Sequence, residues 1–189
     1  MQDIYVAGIS MTKFGPHYDK TIKDLVREAV TDCLKDAGAE QKDIQAAFYA
    51  NCSQDLLEGQ TTIGGQVALH AVGIDRIPVV NVENACASGS TAFWLAKNHL
   101  LTGQADTALA IGAEKLTFRE PETMARVMTI FEGGTDIHDL ENIKKQLTSL
   151  GEGIEGKDGD GHRTFFMEIY AGLAKAHMKR FGTTQEQMA

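Results

Sequence analysis

The chain has 189 residues, enough for one domain with a sizeable core, and its 43% hydrophobic and 23% charged residues exclude the disordered and collagen-like classes. A formal net charge of -8 argues against nucleic acid as a partner, because the basic doublets Lys144-Lys145 and Lys179-Arg180 are too short to reverse the surface field.

In chain order, Ile4 to Ile9 is a short apolar run before Gly15-Pro16 and predicts a buried first strand. From Thr21 to Ala37, Ile22, Leu25, Val26, Ala29, Val30, Cys33, Leu34 and Ala37 recur at helical spacing, with Thr21 as N-cap and Gly38 as the stop. Ala46 to Asn51 reads as a strand, Thr61 to Val72 as a helix ending at Gly73, and Pro78 to Glu83 as a buried, Val-rich strand. Ser88 to Leu101 predicts a helix closed by Gly103, and Thr107 to Ala113 a further strand. Four strands alternating with three helices predict an α/β fold: a mostly parallel sheet covered on both faces. This rhythm defines a domain over 1–114. Beyond Glu114, Glu120-Pro121-Glu122, Gly133-Gly134 and the stretch Gly151 to Gly161 break it, so 115–189 reads as an irregular loop or cap domain ending in a helix from about Phe165 to Phe181.

Cysteines at 33, 52 and 86 form no Cys-x-x-Cys pair, which argues against a disulfide framework and a zinc site and fits a reduced, cytoplasmic setting. The start Met1 to Val6 lacks the features of a secretory signal, and no segment approaches the roughly 18 apolar residues of a membrane span. Of the three, Cys86 stands out because it falls between a strand and the helix that follows. Ligands bind at the carboxyl ends of parallel strands, and a helix N-terminus favours a thiolate. Ala87, Ser88 and Gly89 leave room for a bulky thioester, and backbone N–H groups of this turn are candidates to face a developing oxyanion. The competing reading is a small buried hydrophobe, the usual fate of a free cysteine.

The segment Asn81-Val82-Glu83-Asn84-Ala85-Cys86-Ala87-Ser88-Gly89, continued by Ser90-Thr91-Ala92, resembles the nucleophile motif of thiolases. Gly112-Ala113-Glu114-Lys115-Leu116 resembles that family's Gly-x-Glu-x-Met strand end, and Arg180 to Gln187 resembles a loop-domain segment. The resemblance is to the N-terminal half of the thiolase superfamily, in the sterol-carrier-protein branch. It implies a thiolase-like βαβ half, with Cys86 as the acyl-carrying catalytic residue and acyl-CoA or 3-oxoacyl-CoA as donor. The acyl group would pass to CoA or to a second acyl-CoA, in ping-pong covalent catalysis with no cofactor beyond the CoA thioester substrate. The family's Gly-His-Pro, Asn-Glu-Ala-Phe-like and Cys-x-Gly motifs are missing: Arg163 follows Gly161-His162, and neither Cys33 nor Cys52 is followed by the required pattern. The resemblance therefore implies that the C-terminal thiolase half is absent from this chain, either because the chain is a fragment or because a separate subunit supplies that half. It also implies a homo-oligomer in which the strand Pro78 to Glu83 pairs with its symmetry mate, and a small zinc-containing OB-fold partner. A ketoacyl-synthase-type condensing enzyme and a noncatalytic scaffold or lipid-binding partner are the alternatives.

Other motifs carry less. Asp158-Gly159-Asp160-Gly161-His162 misses the EF-hand ligand pattern, the histidines at 17, 70, 99, 138 and 177 show no metal-triad spacing, and no P-loop or dinucleotide fingerprint is present. Arg119, Arg126, Lys175, Lys179 and Arg180 are candidate CoA-phosphate cations. Met124, Met128, Phe131, Phe165, Phe166 and Met167 are candidates for an acyl pocket or for cap-domain core. Glu83 and Glu114 read as the ends of adjacent parallel strands, placed to support the turn at Cys86 or to serve structure alone.

Overall fold

The computed structural model describes residues 3–130, 132–150 and 165–188. The chain divides into two compact units, Met1–Met124 and Ala125–Ala189.

In the first unit, α1 (Ile22–Ala37) starts on a capping box. The Thr21 hydroxyl accepts the Asp24 N–H, and the Asp24 carboxylate accepts the Thr21 N–H. The helix ends where Gly38 turns left-handed at φ 64°. Its Ile22, Val26, Val30 and Leu34 enter the core, each contributing about 1.5–3 kcal/mol of burial. Next come β1 (Ala46–Ala50), a short helix α2 (Gln54–Glu58), α3 (Gly64–His70), β2 (Val79–Val82), α4 (Ser88–Leu101) and β3 (Ala108–Gly112).

The described strands form a parallel sheet of order β2-β1-β3, with Ala50 of β1 level with both Val82 and Gly112. Because successive strand side chains face opposite ways, β1 is buried on both sides. Ala47 and Tyr49 join α1, α3 and β3 in one core, while Ala46, Phe48 and Ala50 meet Val82 and the small face Ala92 and Ala96 of α4 in the other. The expected parallel α/β architecture, covered on both faces, is present.

Four expectations differ from the structure. Residues 4–9 form no strand: Cys33 Sγ–H donates to the Gly8 carbonyl, the Ile9 N–H to Asp36 and the Ser10 hydroxyl to the Ala29 carbonyl. This segment lies against α1 and leaves Tyr5, Val6 and Ile9 exposed, so the described sheet has three strands rather than four. The second expected helix starts at Gly64 instead of Thr61, because Ile63 adopts φ 50° and the Gly65 N–H donates to Asn81 Oδ1 at 2.7 Å. The strand at Val79–Val82 is an edge strand with Val80 exposed, not a buried one. Finally, β1 lies between the strands that end near Glu83 and Glu114, so those carboxylates do not terminate neighbours.

In the second unit, α6 (Leu140–Leu150) packs on α7 (Phe165–Phe181), and a short α8 (Gln185–Met188) follows. The boundary between the units falls within α5 (Pro121–Ile130). The stretch Gly151 to Gly161 and the run Asp158 to His162 lie outside the described residues. No helix among the described residues is long and apolar enough to cross a membrane.

Candidate functional site: the carboxyl edge of the sheet

Parallel strands in register bring their following residues to one edge. Beyond Ala50, Val82 and Gly112, the chain presents Asn51 and Cys52, Glu83 and Asn84, and Ala113 and Glu114. The Asn51 N–H continues the ladder to the Val82 carbonyl at 3.2 Å, and the Ala113 N–H continues it to the Ala50 carbonyl at 3.1 Å. Glu114 reaches over the end of β1, where it accepts the Cys52 N–H at 2.9 Å, the Asn51 side-chain amide at 3.2 Å and the buried Ser53 hydroxyl. Asn51 also donates to the Ala113 carbonyl at 2.6 Å and accepts the Gln54 N–H at 2.9 Å, tying the β1 end to α2.

Cys52 sits between the two carboxylates. Burial, then the charges of Glu114 and Glu83, a hydrogen bond to Glu83 and the neighbouring Cys86 push its thiol up to about 11, so it stays protonated at neutral pH. The same edge pushes the Tyr49 phenol up, first by burial and then through Glu114 and Glu58. Beside it lies a cavity of about 390 Å³ whose lining includes Tyr49, Asn51, Cys52, Gln60, Ile63 and Glu83. Cys86 is not among its lining residues.

Cys86 itself is exposed, in a single 3-10 turn (Ala85–Ala87) directly before α4. In the chain by itself the thiol is therefore not buried. The preceding residue, Ala85, is held at φ 47°, a left-handed conformation that crowds Cβ against the backbone. Its N–H donates to Glu83 Oε1 at 2.6 Å, and its carbonyl accepts the Ser88 hydroxyl at 2.7 Å and the Ser88 N–H. Ser88 Oγ in turn accepts the Asn84 N–H at 2.8 Å, and the Asn84 side chain donates to Thr91 Oγ1 at 2.9 Å. A Cβ added at Gly89 would meet nothing within 4 Å, so the approach over the turn is open. The expectation that this turn's N–H groups face an oxyanion fails at three positions, the first being Ala85, whose N–H is spent on Glu83. Ala87 N–H is spent on the Asn84 carbonyl at 2.9 Å, and Ser88 N–H on the Ala85 carbonyl.

The other sequence candidates scatter. Arg119 pairs with Asp19 at 3.4 Å and stacks over Tyr18, whereas Arg126, Lys175, Lys179 and Arg180 belong to the second unit. His70 faces Asp75, His99 meets Phe48 edge-on and His17 bonds the Lys13 carbonyl. Among the described residues no group of three or more His, Cys, Asp or Glu could hold a metal ion. Met124 accepts the Phe118 N–H and Met167 is exposed, while the side chains of Met128, Phe131, Phe165 and Phe166 lie outside the described set. Sequence reasoning missed Asn51, Cys52 and Ser53 as partners of Glu114. The signal was available in their position, at the last residue of an expected strand and the two that follow it.

The first unit is thus a parallel α/β domain that presents an exposed thiol and two carboxylates at the carboxyl edge of its sheet. The chain belongs to the thiolase family: the model described as "Thiolase, N-terminal domain" matches residues 4–183. It is 33% identical to an acetyl-CoA acetyltransferase of Methanothermobacter thermautotrophicus over 100% of this chain and 43% of that protein. It is 29% identical to sterol carrier protein 2 of Gallus gallus, over 98% of this chain and 31% of the other. The chain thus spans less than half the length of these relatives. Likeness to the crystal structure of 3-oxoacyl-(acyl-carrier-protein) synthase III from Aquifex aeolicus VF5 is slight, with a TM-score of 0.48 and 16% identity over 59% of this chain and 35% of that one.

Proposed function

We propose that this chain carries the nucleophile of a thiolase-type acyltransferase, with Cys86 as the residue that is acylated. The observation that carries this reading is the exposed Cys86 on a strained turn at the carboxyl edge of a parallel sheet, open above Gly89. The Cys86 thiolate attacks the thioester carbonyl of an acyl-CoA, the tetrahedral intermediate expels CoA thiolate, and the acyl group stays on sulfur. CoA thiolate, or the carbanion of a second acyl-CoA, then attacks that acyl-enzyme and releases the cysteine. Relatives named acetyl-CoA acetyltransferase support this class of reaction.

The base for Cys86 and the main oxyanion donors come, in this proposal, from a complementing thiolase half. Two surfaces support its presence and that of a second copy. Phe93 and Trp94 stand exposed on α4, a helix that is apolar around much of its circumference, as helices buried in larger assemblies are. The edge strand β2, with Val80 exposed, keeps its outer ladder open for pairing with another copy of itself. The test is the intact mass of the chain with its complementing half after incubation with acetyl-CoA. An acetyl-sized increment that disappears in Cys86→Ala is the expected result; an increment that survives the substitution overturns the assignment.

A further inference from the structure

We infer that Glu83 is a positioning residue for Cys86, holding Ala85 in its left-handed conformation so that the thiol stands out from the turn. This deepens the acyltransferase reading and rests on it for the catalytic consequence. An alanine at φ 47° is disfavoured and persists only where its surroundings over-determine it. Here both of its backbone polar groups are held. Glu83 Oε1 accepts the N–H at 2.6 Å, and Ser88, itself buried, takes the carbonyl through its hydroxyl at 2.7 Å. Ser88 is locked by the first turn of α4, whereas Glu83 is exposed and lies beyond the last residue of β2. The carboxylate is therefore the link that connects the sheet edge to the strained residue. Without it, Ala85 can relax to negative φ, and the Cys86 side chain turns with the peptide that precedes it.

Three variants of the chain in complex with its complementing half test this. Glu83→Gln keeps an acceptor for the Ala85 N–H and loses the charge, Glu83→Ala loses both, and Glu83→Ala with Ala85→Gly removes the steric cost of positive φ. The expected single-turnover acylation of Cys86 by acetyl-CoA is within about threefold of wild type for Glu83→Gln, about tenfold slower for Glu83→Ala, and back within about threefold for the double variant. Alkylation of Cys86 by iodoacetamide, which demands no such alignment, stays no slower than wild type in all three. A merely structural glutamate would lower the melting temperature without this rescue. Glu83→Ala acylating as fast as Glu83→Gln, or a double variant as slow as Glu83→Ala, overturns the proposal. A wild-type complex that takes no acyl group at all sinks the acyltransferase reading alone. The positioning role is then read from Ala85 amide hydrogen exchange, where faster exchange in Glu83→Ala but not in Glu83→Gln supports it and equal exchange overturns it.

Discussion

The helices α1 and α4 begin in opposite ways. Thr21 enters α1 with extended backbone and a reciprocal capping box, satisfying orphan N–H groups by side chains made for the purpose. Ala87 enters α4 with no side-chain cap, behind a 3-10 turn whose first residue is strained. Local rules are kept where a helix only has to be stable and broken beside an exposed thiol, which is where departures from consistency are expected to collect. The start of α3 is an intermediate case, since Ile63 is also left-handed, yet no nucleophile follows it and Ile63 faces the cavity at the sheet edge.

These three helix starts can be separated by substitution. The largest effect is expected at α3, where a Cβ on Gly65 would lie 2.6 Å from Tyr49 Cβ and 2.9 Å from Asn81 Oδ1. Neither neighbour is a flexible chain end, so Gly65→Ala should destabilise by about 2 kcal/mol in denaturant unfolding despite alanine's better helix propensity. Thr21→Ala removes the α1 cap and should cost about 1 kcal/mol. Ile63→Gly should have the opposite sign: it relieves a β-branched residue at positive φ and loses only a half-exposed side chain, for a gain of about 0.5–1 kcal/mol. A loss at Ile63→Gly as large as that at Thr21→Ala would show that positive φ is no burden there.

The titrations are smaller and differ in sign. Hydrogen bonds from the Thr21 hydroxyl and N–H hold the Asp24 carboxyl below its ordinary value, with Arg27 adding to them. Its contribution is complete above the ordinary carboxylate value and disappears as pH falls through the lowered one. Cys52 runs the other way. Its stabilising contribution is complete below the ordinary thiol value of 9.0 and is lost as pH rises toward about 11, where Tyr49 starts to add in the same direction. Cys52→Ser should therefore flatten part of the alkaline loss of stability between those values and leave the acid limb unchanged, as read by thermal melting against pH.

Much of this was legible in the residues. The 3-4 spacing in α1 with Thr21 and Gly38 at its ends and the all-apolar β1 form where local pattern and burial agree, and the run from Ser88 to Leu101 forms its helix although Phe93 and Trp94 stay exposed. Residues 4–9 have the same apolar character as β1, but a short apolar run does not specify its pairing partner, and here α1 takes its backbone groups. Strand order is equally invisible to local pattern, so the two glutamates were recognisable as strand-end carboxylates while the cysteine lying between them was not. The motif around Cys86 identified the thiol; the left-handed Ala85 before it was hidden, because alanine is an ordinary choice for ordinary backbone.

The central claim is that this turn presents Cys86 for acyl transfer, and peptide-level mass mapping tests it most directly. The chain with its complementing half is mixed with acetyl-CoA, quenched in acid within one turnover, and digested to find which cysteine carries the acetyl group. The account predicts acetyl on Cys86, with Cys33 and Cys52 unmodified. Acetyl on Cys52, or none on any cysteine while product still forms, would contradict it.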